Sequence, residues 1–255
     1  MQLKRLTLTI ILFFFAFLSS GAQNLGGLTG LLNIPSAHMQ KDGTMMLGAH
    51  FLDPSIGDYG AYDHLKNEFD ALALFGTVTF LPFVEGEFRY TFLLGVENWE
   101  ENSYFGDRMM SVKIRLLNGD THKWPSVSLG FEDFVSLAAF IIDASSPSYF
   151  ASNYVVASKK VQPFKHLFID LSLGYGYNLS HALMKRSPER LQHDGLFGGI
   201  ELRLHETSSF GLMLEYDSRY WNAGLRLLIF KHVHLLASMN ENRGFSGGFT
   251  YKFVL

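Results

Sequence analysis

FLPFVEGEFRYTFLL, residues Phe80–Leu94, alternates without a slip from Val84 onward. Val84, Gly86, Phe88, Tyr90, Phe92 and Leu94 share one register, and Glu85, Glu87, Arg89 and Thr91 share the other. A strand turns successive side chains to opposite faces, so this stretch makes a ribbon with one greasy side and one charged side. Pro82 stands at the break before it, where a missing N–H interrupts no ladder. The greasy side faces either a protein core or lipid, and the remaining sequence discriminates between the two.

The same period predicts about twelve strands, each near the length that crosses a bilayer at a tilt. They are Thr44–Leu52, Phe69–Thr79, Val84–Leu94, Asp107–Leu117, Pro125–Phe134 and Tyr149–Lys159. Lys165–Tyr177, Asp194–Leu204, Ser209–Asp217, Tyr220–Phe230, His232–Asn240 and Phe245–Leu255 follow. Alternation is cleanest where Leu167, Ile169, Leu171, Leu173, Tyr175 and Tyr177 oppose Asp170, Ser172, Gly174 and Gly176. It recurs where Phe210, Leu212, Leu214 and Tyr216 oppose Gly211, Glu215 and Asp217.

Composition and the N-terminus set the frame. The chain has 255 residues, a net charge of −3, 24 Gly, 15% aromatics and no Cys. That charge argues against a nucleic-acid partner, and the missing Cys excludes disulfides and thiolate metal sites. Residues 1–22 read as a cleaved signal peptide. Lys4 and Arg5 precede the apolar run Leu6–Leu18, and Ser20-Gly21-Ala22 supplies small residues before a cut ahead of Gln23. Thirteen apolar residues are fewer than the roughly 20 a spanning helix needs. Residues 23–43 form a Gly-rich lead, a plug or a periplasmic segment, ending in the turn signal Lys41-Asp42-Gly43.

Connections between the expected strands run long, short, long, short, which in an up-and-down sheet gathers the long loops at one end. Aromatics of the apolar register cluster near strand ends, as at a membrane's two interfaces. The polar register mixes charge with many Gly and Ser, as a confined interior would. The fold class expected is therefore all-β: a transmembrane up-and-down antiparallel β-barrel of about twelve strands over residues 44–255. Its lumen-facing candidates are Glu85, Glu87, Arg89, Lys113, Arg115, Asp170, Glu201, Arg203, Glu215 and Arg226, with Asp107, Glu132, Lys159, Asp217 and Lys252 in the same register. Signs so nearly balanced suggest ion pairs more than a pore selective for one charge. Twelve strands lie between the eight that side chains fill and the sixteen to eighteen that leave a channel, so a narrow or plugged lumen is expected.

Signs of chemistry are weak. His232-Val233-His234 puts two imidazoles on one strand face without a third ligand, so neither a metal nor a cofactor is assigned. No G-x-S-x-G elbow or H-E-x-x-H occurs, and no catalytic residue is named. Leu137–Ile142 reads as an apolar loop tucked into a barrel mouth.

A set of short motifs carries a family resemblance. GGLTGLLNIPSAHMQKDGTMMLG, FLPFVEGEFRYT, DRMMSVKIRLL, WPSVSLGFEDF, YVVASKK, LSLGYGY, FGGIELRL and LMLEYD occur in this order over Gly26–Asp217. They resemble the N-terminal half of the YjbH-type exopolysaccharide-biosynthesis proteins of the Gram-negative outer membrane. The resemblance implies an outer-membrane barrel, not an enzyme, acting in assembly or export of an extracellular polysaccharide. Its partners would be outer-membrane lipid, the polysaccharide and export-machinery proteins. The chain departs from the family in lacking a lipobox Cys and in having Phe134-Val135-Ser136-Leu137 where a Gly-Thr-Gly element is usual. Aromatics in the expected outer loops, Tyr59, Tyr62, Trp99, Tyr104 and Tyr149, suit stacking on sugar rings. A small-solute channel and a surface lipid or glycan hydrolase are the alternatives.

Overall fold

The structure, a computed structural model, describes residues 23–55, 69–94, 106–119, 123–134, 151–177, 193–206, 208–242 and 244–255. The expected signal peptide, the five loop aromatics and the Leu137–Ile142 stretch lie outside these residues.

Twelve strands form one sheet: β1 (Thr44–Leu52), β2 (Ala71–Phe80), β3 (Val84–Leu93), β4 (Gly106–Leu117), β5 (Ser126–Glu132) and β6 (Ser152–Phe164), then β7 (Leu167–Tyr177), β8 (Gly195–Arg203), β9 (Phe210–Tyr216), β10 (Trp221–Ile229), β11 (Val233–Asn240) and β12 (Phe245–Val254). Each pairs antiparallel with its sequence neighbours, and β1 closes on β12, Thr44 opposite Val254. Closure removes the open edge whose unpaired N–H and C=O groups hydrocarbon would not satisfy.

Boundaries follow the periodicity except at two places. β6 runs to Phe164 because its end folds back on Leu167–Ile169 through a register shift between Val161 and Phe164. Pro163 sits in that irregularity, where its missing donor breaks no regular ladder. β5 stops at Glu132 because Asp133 takes a left-handed φ of 48°.

The packing is inside out. Among the described residues, 38 polar side chains are buried against 18 apolar ones. A water-soluble sandwich buries the greasy face; here that face is the exposed one. In β3, Glu85, Glu87 and Arg89 are buried while Phe88, between them, is 48% exposed. Leu173, Leu196, Leu212 and Phe249 stand out equally from other strands. Residues 53–70, 94–105, 133–151 and 178–194 are the long connections, all at one end, whereas the longest at the other end is residues 118–125. Exposed rings crowd both rims: Phe80, Phe83, Trp124, Phe164 and Phe230 at the short-turn end, and Tyr175, Tyr177, Trp221 and Phe245 at the long-loop end. An apolar band between two aromatic girdles is the outer surface of a transmembrane barrel.

Phe88 tests that surface. It lies in the middle of β3, opposite Gly76 of β2 and Met110 of β4. Phe88→Arg should cost about 2–4 kcal/mol of folding in a bilayer, the penalty for a cation near the midplane. Equilibrium urea titration of the variant in lipid vesicles reads it, and a near-neutral result would reverse the assignment of faces.

Candidate functional site: a filled lumen

Residues 23–40 run inside the ring. Gly and Pro break this lead too often for a long strand, so its amides have no ladder of their own and need other acceptors. It folds back on itself through antiparallel bridges between Gln23 and Thr29 and between Gly30 and Pro35. Leu25, Leu28, Leu32 and Ile34 are all at most 1% exposed. The wall's carboxylates take the amides of Thr29, Leu32, Asn33 and Ile34.

Glu215 of β9 is the main anchor. It accepts the Asn33 N–H at 2.7 Å, the Leu32 N–H at 3.0 Å and the Ile34 N–H at 3.3 Å. Asp217, in the turn after β9, accepts the Asn33 side-chain amide at 2.7 Å. Burial works to raise the Asp217 carboxyl, yet the Arg219 charge, the Tyr220 N–H and the Asn33 and Asn222 amides hold it below its ordinary value. Across the ring, Glu85 of β3 accepts the Thr29 N–H at 2.6 Å and its hydroxyl at 2.9 Å. The Lys113 ammonium of β4 lies 3.1 Å from Glu85 and donates to the Thr29 carbonyl at 2.7 Å. Charge-assisted hydrogen bonds of this kind are roughly twice as strong as neutral ones.

Further contacts bind the rest of the segment. Thr77 donates to the Gly27 carbonyl at 2.7 Å, and His50 meets the Leu25 carbonyl at 3.0 Å. The Ala37 N–H donates to Ser158 at 2.8 Å, while Ser128 donates to the Ala37 carbonyl at 3.1 Å. His38 pairs with Asp170 at 2.8 Å, and Lys252 donates to the Gln40 side chain at 2.7 Å. These hydrogen bonds reach nine of the twelve strands. Gly27 has φ +114° and lies so close to Phe75 and Glu87 that a side chain there would collide with both. The lead therefore fits the wall at the level of single atoms.

The wall's other charges pair among themselves. Asp170 and Glu201 are directly opposite in β7 and β8, an arrangement of like charges that destabilises unless bridged. Arg226 bridges to Glu201 at 2.6 Å, and Arg203 lies 3.7 Å from Glu201 and 4.0 Å from Asp170. Glu87 and Arg89 are buried on β3, and the Arg89 guanidinium reaches the Gly26 carbonyl at 3.4 Å.

Arg115 keeps the inward register, opposite buried Ser128, but at the short-turn rim, where its guanidinium donates to the Pro82 carbonyl at 2.6 Å. Two expectations need correction. Lys159 falls in the outward register of β6, between buried Ser158 and half-buried Lys160, and its ammonium donates to the Trp124 carbonyl at 3.0 Å. His232 and His234 do not share a face. His232 sits in the turn before β11, bonded to the Lys252 carbonyl and stacked on Tyr251, while His234 is buried.

One wall residue escaped the periodicity altogether. His193, buried with a left-handed φ of 52°, meets Glu132 at 3.3 Å and the Asn33 carbonyl at 3.2 Å. It lies outside any strand, so no alternation could have marked it.

A closed apolar-walled ring filled by its own N-terminal segment is a plugged transmembrane β-barrel of the outer-membrane type. The chain belongs to the YjbH family, described as exopolysaccharide biosynthesis protein YbjH, whose family model matches residues 22–254. A comparison with curated proteins found no match. Among solved structures, the KdgM porin is similar with a TM-score of 0.45 and 10% identity, over 83% of this chain and 99% of that one. The Acinetobacter baumannii outer membrane protein Omp33 gives a TM-score of 0.36 at 11% identity, over 84% and 98%. LpxR from Salmonella typhimurium gives 0.37 at 10%, over 82% and 99%. Likeness at this level carries no function across.

Proposed function

We propose that the protein is a plugged, non-catalytic barrel of the outer membrane that supports assembly or export of an exopolysaccharide. The observation that carries this reading is the filled lumen: Glu85 and Glu215, on opposite sides of the ring, both spend their carboxylates on backbone amides of residues 29–34. Charges committed in this way are poor candidates for selecting a diffusing solute or for acid–base work on a substrate. Family membership supports a role in an exopolysaccharide pathway. The protein's work then falls to its surfaces, where the polysaccharide and export-machinery proteins are the partners, and a cleaved signal peptide delivers it. Deleting the gene should reduce the amount or chain length of surface polysaccharide, measured by gel filtration of the cell-surface fraction. Unchanged amount and length would overturn the reading.

A further inference from the structure

We infer that the outer wall across β6–β9 holds one anionic phospholipid, with an acyl chain in a groove and its phosphate on Lys159. The groove has a volume of about 740 Å³, within the range of small-molecule sites. Two adjacent cross-strand rows form it. One runs Lys159, Leu171, Ile200, Leu214, and the other Ala157, Leu173, Gly198, Tyr216. Ala157 and Gly198 are the small members of the second row, and they lower the wall on either side of Leu173. Everything in these rows lies in the outward register, so the medium that fills the groove is lipid.

The two ends of the groove differ in chemistry. At the long-loop end Tyr216 packs on Trp221 with ring centroids 5.4 Å apart, closing it with apolar surface. At the other end stands Lys159, the one charge in either row. A cation in a lipid-facing register is costly unless its head reaches the interface. Lys159 does so, held by the Trp124 carbonyl in the β4–β5 turn, beside exposed Lys123. Short turns of transmembrane barrels face the periplasm. An ammonium at that level, at the foot of an apolar groove, matches the phosphate and first acyl chain of a lipid from the inner leaflet.

The inference does not depend on the export reading, because surface polysaccharide is no part of its test. Folded protein in mild detergent is incubated with equimolar phosphatidylglycerol and phosphatidylcholine, and retained lipid is identified by mass spectrometry. Wild type should retain phosphatidylglycerol with roughly fivefold preference, the effect of one lysine near a phosphate. Lys159→Gln should abolish the preference, and Ala157→Leu, which fills the groove, should lower the total lipid retained. Heat-modifiable gel mobility shows that each variant is folded, and Ile200→Phe serves as a second filling variant. Equal retention of both lipids by wild type overturns the proposal. So does a preference that survives Lys159→Gln, or unchanged total lipid in both folded filling variants.

Discussion

Deleting residues 24–40 should turn a silent protein into a conducting one. In planar bilayers the wild-type barrel should pass no stable current, whereas the deletion variant should open discrete, long-lived steps. The expectation follows from what the segment occupies. It is hydrogen-bonded to nine strands, and its leucines press against glycines of the wall: a Cβ on Gly199 would stand 2.9 Å from Leu31, and one on Gly224 2.6 Å from Leu32. Those glycines leave room for the plug and for nothing else. Without it, Glu215 loses three amide donors and Glu85 loses two donors from Thr29. Water can replace all of these, because a twelve-stranded ring is wider than the eight-stranded rings that side chains alone fill. The barrel's own ladder is untouched, so the variant should keep its heat-modifiable band. Current through wild type, or a folded deletion variant that stays silent, would show that residues 24–40 are not what closes the lumen.

Much of the barrel can be read in the chain, because a strand's period is short and charge is a sharp marker. Glu85, Glu87 and Arg89 alternate with Gly86, Phe88 and Tyr90 on the page as they alternate across the wall. The reading loses accuracy where a strand is apolar on both faces. Lys159 carries the right charge for the interior, but β6 has apolar residues on both faces, and regular alternation from buried Tyr154, Val156 and Ser158 puts it on the outside. The plug is a different case. Its anchors join residues 181 to 184 positions apart, through backbone amides that have no sequence signature. Two signals do point to it in retrospect. Leu25, Leu28, Leu31, Leu32 and Ile34 are too apolar for a solvated Gly-rich segment. Gly199 and Gly224 sit among residues that a strand would rather fill, and a glycine there marks close approach of another part of the chain.

Replacing Lys113 with Met should destabilise the folded barrel by about 3–5 kcal/mol, the usual consequence of removing one partner from a buried ion pair. Lys113 and Glu85 are both fully buried, 3.1 Å apart, on adjacent strands in direct register. Met keeps most of the volume and removes the charge, so packing loss contributes little. What remains is the Glu85 carboxylate, served only by Thr29, and the Thr29 carbonyl, which loses the Lys113 donor. The companion variant separates an orphaned charge from a general loss of fit. Glu85→Gln combined with Lys113→Met leaves no ion behind, and it should recover most of the stability lost by Lys113→Met alone. Urea titration of the three proteins in lipid vesicles measures the cycle. If the double variant is as unstable as the sum of its parts, the pair is not coupled and the plug's hold on β3 and β4 does not run through it. Recovery in the double variant, by contrast, would tie the seating of Thr29 to one charge pair, and that pair is spelled out in the alternating stretch Glu85–Thr91 and its neighbour strand.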